Sequence, residues 1–404
     1  MNYKNLYNTI EKIVNSKFEP NHLDKTIKEL GASLLVEINN DIKIDGVRIY
    51  KRLNDVYVLK YQFGKKGFAT PGFKISASYS PIKELINNDD GIIIKTHNDH
   101  GVNRYLEKKL GVENFCALRI GDRAEYLLGI NLPNNLSSEN NEQIKYLLRT
   151  LSSTINTKLK KEKFESILKE ASKLQRRILP RDQPKFDGYD LYFFAKQAEK
   201  VGGDNIKFKV IDDKIVLSIS DASGHGLIPA IQAMRVHEVL TTSLDFGHYG
   251  EIEKILKILN GRIHGTELSD KFVTFFYGLL NKEGNLVYSN AGHNPPLLLN
   301  YHKNEFKELN IGGIPLGALT NSEYSKDNVK LEKNDILIMY TDGIIEIFNK
   351  KREIFGEQRL KEVILKNKNE TSKDLVNIIL SEITRHSRKI NLEDDMTLAV
   401  IKKT

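Results

Sequence analysis

Four aspartates in the C-terminal half of the chain stand at the ends of runs that otherwise read as apolar strands. Asp204 follows Gly202 and Gly203 in "VGGDNIKF", and Asp221 closes "KIVLSIS" and opens "DASGHG". Asp342 closes "DILIMYT" and opens "TDGIIE", while Asp394, with Asp395 beside it, directly precedes "MTLAVIKK". Any one of them reads as a turn residue or a helix N-cap. Together they read as chemistry, because clustered carboxylates repel one another unless a cation lies among them. Hard oxygen ligands suit Mg²⁺ or Mn²⁺. The lone Cys116, in the strand-like "NFCALRI", excludes a cysteine zinc site and a disulfide framework. Two such ions sharing a carboxylate, roughly 3.5–4 Å apart, depress the pKa of a bridging water far enough to supply hydroxide near neutral pH, as in-line phosphate-ester hydrolysis requires. No side-chain nucleophile is needed, and Ser223 and His225 lack the G-x-S-x-G context of one. Glycine weakens a strand unless the backbone bends or another group comes close, so Gly202 and Gly203 predict a bend that presents Asp204.

The elements that must hold these groups alternate. Strand-like "DLYFFAKQA", "IKFKVID" and "KIVLSIS" precede a helix from Ile228 to about Leu244 and another near 251–264. The strands "FVTFFYGLL", "NLVYSNAG", "PLLLNY", "DILIMYT" and "MTLAVIKK" follow, with a hairpin over Asn281 to Asn285. This order suits a sheet-on-sheet core flanked by helices better than a parallel sheet.

Upstream, Leu148, Leu151 and Ile155, then Phe164, Ile167, Ala171, Leu174 and Ile178, step by three and four, with a step of five from Leu159 to Phe164. They predict a long connecting helix, read either as a parallel coiled coil joining two chains through 148–178 or as a helix packed on its own domains. Pro180 and Pro184 end it. The N-terminal part reads as an α+β domain. Its expected elements are helix over 1 to about 32, strands at "SLLVEIN", "GVRIYKRL", "DVYVLKYQF", "GIIIKT", "FCALRI" and "AEYLLGINL", a hairpin turn at Gly121 and Asp122, and a short helix "NRYLEKKLG" ended by Gly111. The expected domains are 1–140, 141–179 and 180–404.

A chain of 404 residues is too long for one ordinary core, and 40% hydrophobic with 28% charged side chains is a soluble globular composition. No apolar run approaches the roughly 18 residues of a membrane span, and "MNYKNLYNTIEKIV" lacks the apolar core of a secretory signal, so a cytoplasmic protein without a membrane partner is expected. The net charge of +8 arises before residue 181, since residues 181–404 hold 31 basic and 32 acidic side chains. Such an excess invites a nucleic-acid reading, but no zinc-finger, RNP or Walker motif supports it, and no nucleic-acid partner is expected.

In order, "VGGDNIKF", "ISDASGHGLIPA", "NAGHNPPLLL", "GIPLGAL", "YTDGIIEIFN" and "EDDMTLAVI" resemble the SpoIIE-type branch of the metal-dependent protein phosphatases (the PPM superfamily), relatives of protein phosphatase 2C. "LQRRILPRDQPKFDGYDL" resembles the lead-in of that family, and the resemblance covers about residues 170–404. It implies an α+β fold with a C-terminal β-sandwich of two antiparallel sheets flanked by helices, two Mn²⁺ or Mg²⁺ ions, and hydrolysis of phosphoserine or phosphothreonine on a protein. The substrate it implies is an anti-sigma-factor antagonist of a bacterial partner-switching pathway. Asp221 matches the aspartate that bridges both metals and Ala222 the position whose carbonyl binds one. Asp342 and Asp394 match the other ligands of the first metal, and Asp204 the acid serving the second. Asp395 falls beside a ligand, and His293 and His225 read as structural. The element order of residues 1–140 is similar to a GAF-type sensory domain, with a PAS-like module as the alternative, and no residue there names a ligand.

Lys207 departs from the family, which commonly has an acid three residues after the Gly-Gly-Asp. It weakens a metal site, binds the substrate phosphate as a point charge, or points to solvent. The first option leaves a rival function, a catalytically silent signalling scaffold. A third reading, a metal-dependent phosphodiesterase acting on nucleotides, requires a base-binding pocket that no motif supplies.

Overall fold

The computed structural model describes residues 23–38, 44–64, 69–133, 138–180, 182–264, 272–387 and 394–404, and of the helix expected over 1 to about 32 the part over 1–22 lies outside them. The chain divides into two compact units, Met1–Ile167 and Leu168–Thr404.

The first unit is built on a six-stranded antiparallel sheet of order β3-β2-β1-β6-β5-β4. Its strands are β1 (Gly46–Leu53), β2 (Val56–Gly64), β3 (Lys74–Ser76), β4 (Ile92–Thr96), β5 (Asn114–Ile120) and β6 (Tyr126–Leu132). The expected β5–β6 hairpin is present, closed by residues 121–125. Alternation along each strand sends one set of side chains to each face. Ile49, Cys116, Leu118, Leu128 and Ile130 pack against α1 (Leu23–Ile38) and the start of α4 (Ser138–Ile178). Tyr50, Ile93, Phe115 and Leu127 pack against α2 (Ser80–Asn87) and α3 (Arg104–Leu110). The expected end of α3 is observed, with Gly111 in the left-handed region at φ 69° and Asn103 capping the start through its side chain.

Two expectations change here. "SLLVEIN" is not a strand, because residues 33–38 continue α1. Ile27, Leu30 and Leu34 lie on one helical face and are buried against the sheet, and that tertiary burial outweighs the β-like local composition. Nor is the whole of 148–178 free to join two chains. Leu148, Leu151 and Ile155 are buried in the core of their own unit, whereas Phe164, Ile167 and Leu174 are exposed. The five-residue step from Leu159 to Phe164 therefore marks the point where the helix leaves the first core.

The second unit is a sandwich. One sheet runs β14-β11-β10-β9-β8, with β15 also on β11, and the other runs β13-β12-β16-β17-β7. The strands are β7 (Tyr189–Lys196), β8 (Asn205–Ile211), β9 (Lys214–Ala222), β10 (Val273–Asn281), β11 (Asn285–Ala291), β12 (Leu297–Asn300), β13 (Glu305–Glu308), β14 (Gly312–Gly313), β15 (Asp327–Lys330), β16 (Ile336–Tyr340) and β17 (Met396–Lys403). All pairings are antiparallel except the short β11–β14 contact. The inner faces interdigitate through Leu191, Ile206, Leu217, Ile219, Phe276, Tyr288, Leu337, Met339 and Ile401. Helices α5 (Leu227–Asp245) and α6 (Ile252–His264) cover the outside of the first sheet. The outside of the second is covered by α7 (Asp342–Ile345), α8 (Glu357–Lys366) and α9 (Ser372–Ser387).

The helical assignment of 33–38 separates two neighbours that a strand would place on one face. Leu34→Ala is expected to cost about 2–5 kcal/mol in urea unfolding, as a fully buried leucine does. Val36→Ala, at a position 67% exposed, is expected to stay within about 0.5 kcal/mol.

Candidate active site

Antiparallel register gathers the aspartates. Asn205 of β8 pairs with Ser220 of β9, so Asp204 and Asp221 are the next residues out on adjacent strands. In the other sheet Tyr340 of β16 pairs with Leu398 of β17, and the Thr341 N–H donates to the Thr397 carbonyl at 3.0 Å, so that Asp342 follows on one strand and Met396, then Asp395, on the other. Both strand pairs thus end at one edge of the sandwich.

The carboxylates feel one another. Asp204 is 6% exposed, and burial, then Asp221 and Asp395, push its pKa well above the ordinary carboxylate range. Burial together with Asp342, Asp394, Asp395 and Glu346 raises Asp221 to about 7. Burial, Asp394 and Glu346 raise Asp342 to about 6. Asp395 is also raised, first by burial, while the backbone N–H groups it accepts pull the other way. Glu346 is a member that the sequence reading missed, and its signal is the helical i, i+4 spacing from Asp342 in "TDGIIE".

Hydrogen bonds orient two of the acids. Asp204 Oδ2 accepts from Thr341 Oγ1 at 2.8 Å and from Thr397 Oγ1 at 2.6 Å. Asp395 accepts from the N–H groups of Ala198 at 2.8 Å and Asp204 at 3.3 Å, tying the Gly-Gly-Asp bend to the start of β17. The glycine pair is a matter of clearance. A Cβ on Gly202 would stand 2.0 Å from Asp395 Oδ2, and one on Gly203 would stand 2.7 Å from the Ala222 carbonyl oxygen.

The bend is clasped from α4. Gln175, fully buried, donates through Nε2 to the Gly202 carbonyl and accepts the Gly202 N–H at 3.1 Å, and Val201 packs with Ala171 and Ala230. Sequence spacing gave no hint of Gln175 or the two threonines, since their partners lie far along the chain.

The remaining candidates separate clearly. His293 is buried, which lowers its pKa to about 4 and keeps it neutral. Its Nδ1 meets Thr274 Oγ1 at 2.8 Å, and that hydroxyl donates to the Asp221 carbonyl at 3.3 Å, so His293 supports the strand end from behind. His225 is exposed and pairs with Glu199 at 3.0 Å. Ser223 is occupied by the loop, its Oγ accepting the Phe272 N–H. Of the three roles expected of Lys207, pointing to solvent is not observed. Its half-buried ammonium donates to Thr241 Oγ1 of α5 at 2.7 Å, outside the carboxylate cluster.

Among the described residues, no three acidic, histidine or cysteine side chains already converge as a closed metal site. The donor set nonetheless fits hard divalent cations. It offers several carboxylates, no cationic side chain among the named partners of Asp204, Asp221 and Asp342, and an open edge, and Mg²⁺ ordinarily keeps several waters.

Residues 211–404 match the family model described as Stage II sporulation protein E (SpoIIE), a span that includes Asp221, Asp342 and Asp394 and begins after Asp204. The chain is 25% identical over 244 residues to the phosphoserine phosphatase RsbU of Bacillus subtilis, covering 60% of this chain and 71% of the relative. It is 28% identical over 261 residues to protein IcfG of Synechocystis sp., covering 58% of this chain but only 41% of that longer protein. Among solved structures, the SiaA-PP2C domain of Pseudomonas aeruginosa superposes with a TM-score of 0.53 at 18% identity, over 60% of this chain and 98% of that domain, and so shares the fold.

Thr341→Val with Thr397→Val keeps side-chain volume and removes both donors to Asp204. Calorimetric titration with Mn²⁺ is expected to show affinity weakened roughly 10–100-fold, the usual effect of losing groups that orient a ligand.

Proposed function

We propose, from the match of residues 211–404 to the SpoIIE family model and the similarity to a phosphoserine phosphatase, that this protein is a metal-dependent serine/threonine protein phosphatase controlled by its N-terminal unit. The observation that carries the reading is the mutual elevation of the Asp204, Asp221, Asp342 and Asp395 pKa values at one edge of the sandwich. Such a cluster is stable when a cation neutralises it. Asp204, Asp221, Asp342 and Asp394, with the Ala222 carbonyl, are the groups proposed to hold two Mn²⁺ or Mg²⁺ ions. When bound, these ions supply Lewis acidity and a water of lowered pKa.

The chain's own residues do the positioning. Thr341 and Thr397 hold Oδ2 of Asp204 and thereby direct its other oxygen. The Asp395 carboxylate fixes the bend before β8, and His293 through Thr274 fixes the end of β9. With Ser223 bonded into its loop and His225 paired with Glu199, these two do not form a serine–histidine couple that competes for the role of nucleophile. Water then displaces the seryl or threonyl oxygen at phosphorus in line, and the leaving alkoxide takes up a proton.

The proposed substrate is a phosphoserine or phosphothreonine on an anti-sigma-factor antagonist, a reading supported by similarity to a phosphoserine phosphatase. The N-terminal unit is proposed as a GAF-like sensory module, on its element order. The exposed Phe164, Ile167 and Leu174 on α4 support a homodimer through the later part of 148–178. No helix among the described residues is long and apolar enough to cross a membrane, and a cytoplasmic location is proposed with the rest. Lys207, the residue that favoured a silent scaffold, makes its contact on α5 and gives that rival no support.

Release of phosphate from a phosphoserine peptide by the full-length protein is expected to require Mn²⁺ or Mg²⁺. Asp221→Asn is expected to lower the rate at least about a hundredfold, as loss of a main electrostatic group does. Retention of the rate in that variant, or activity in excess chelator, contradicts the reading.

A further inference from the structure

A cavity of about 50 Å³ lies in the N-terminal unit between the sheet and helices α2 and α3. Strand register explains it. Arg48 of β1 pairs with Gly129 of β6, Gly129 with Ala117 of β5, and Ala117 with Ile93 of β4. This row crosses four strands on one face, and two of its positions carry almost no side chain. A Cβ placed on Gly129 would meet Arg48 Nη2 and Tyr50 Cε2 only at 3.9 Å, so the space over the row stays open. Leu85 of α2 and Leu110 of α3 line it, with Phe115 and Leu127.

Arg48 also lines this cavity and is 3% exposed, with its Nε and Nη1 buried and without a hydrogen-bond partner. A buried guanidinium in that state is costly, because a charge taken out of water is compensated only by pairing. Glu107, equally buried on the cavity wall, does not pair with it. Its Oε1 accepts the Tyr79 hydroxyl at 2.9 Å, and burial raises its pKa while the Arg48 charge pulls it down, with no hydrogen bond between the two side chains. Asn131, the next residue on that face of β6 after Gly129, likewise has both side-chain polar atoms buried and unpartnered. An apolar hollow with one unsatisfied cation in its wall asks for a small molecule that carries one negative end and is otherwise apolar.

We propose that the cavity between Arg48, Gly129 and α2/α3 binds a short-chain monocarboxylate, its carboxylate on the Arg48 guanidinium and its hydrocarbon chain over Gly129 and Ala117. A planar carboxylate suits the guanidinium fork and balances its single charge. A phosphate dianion would bury a second charge among the apolar residues that line the rest of the cavity.

Calorimetric titration of the full-length protein with butyrate, with uncharged butyramide of similar shape, and with inorganic phosphate tests this. Butyrate is expected to bind saturably at one site per chain, with butyramide and phosphate at least about tenfold weaker, the value of one charge-assisted pair. Arg48→Met is expected to lose butyrate by the same factor without lowering the unfolding temperature, since it removes an unpaired buried charge. Gly129→Val, which fills the hollow and keeps the arginine, is expected to lose it too. Absence of butyrate binding, equal binding of butyramide, tighter binding of phosphate, or unchanged affinity in both variants overturns the proposal. The readout is binding alone, so it stands or falls apart from the phosphatase reading.

Discussion

Repulsion among Asp204, Asp221, Asp342, Asp394 and Asp395 at one edge of the sandwich is the constraint around which the C-terminal unit is arranged. Burial and mutual repulsion together hold Asp221 at about 7 and Asp342 at about 6, and hold Asp204 well above its ordinary value. In the absence of a cation the folded state bears this repulsion as a penalty. The apolar packing between the sheets must exceed it, and the inner faces, with Leu217, Ile219, Phe276 and Leu337 fully buried, supply that packing away from the charged edge.

Rigidity follows from the same arrangement. Each strand that delivers an acid is paired along its length, so the end residues inherit positions fixed by main-chain ladders. The acids outside regular strand are tied by short polar contacts, Asp204 by two threonine hydroxyls and Asp395 by two backbone N–H groups. Gly202 and Gly203 permit the approach, since a side chain at either position would collide with the group beside it. Gln175 adds a buried anchor from α4 to this bend, giving the helix that spans both units a direct bond next to the acids.

Much of this was legible from residue type and order. An aspartate at the end of an apolar run is a local signal, and four of them in one domain mark a site without knowledge of pairing. The sandwich, the α5 and α6 helices and the Asn281–Asn285 hairpin were legible for the same reason, because period and turn chemistry are local. What depended on distant partners was hidden. Thr341 and Thr397 bond a residue 137 and 193 positions away, and nothing in their own neighbourhood signals it. Residues 33–38 misled because "SLLVEIN" suits a strand until Ile27, Leu30 and Leu34 are placed on one face with the sheet beneath them. Arg48, inside an ordinary strand pattern, becomes notable only when Gly129 and Ala117 are seen beside it.

Thermal unfolding of the metal-free full-length protein and of Asp221→Asn, each with and without Mn²⁺, tests the central claim most directly. If carboxylate repulsion is the governing constraint, the variant unfolds at a higher temperature than the parent without metal, and Mn²⁺ raises the parent far more than the variant. A metal-free variant less stable than the parent, with equal Mn²⁺ effects on both, would contradict the account.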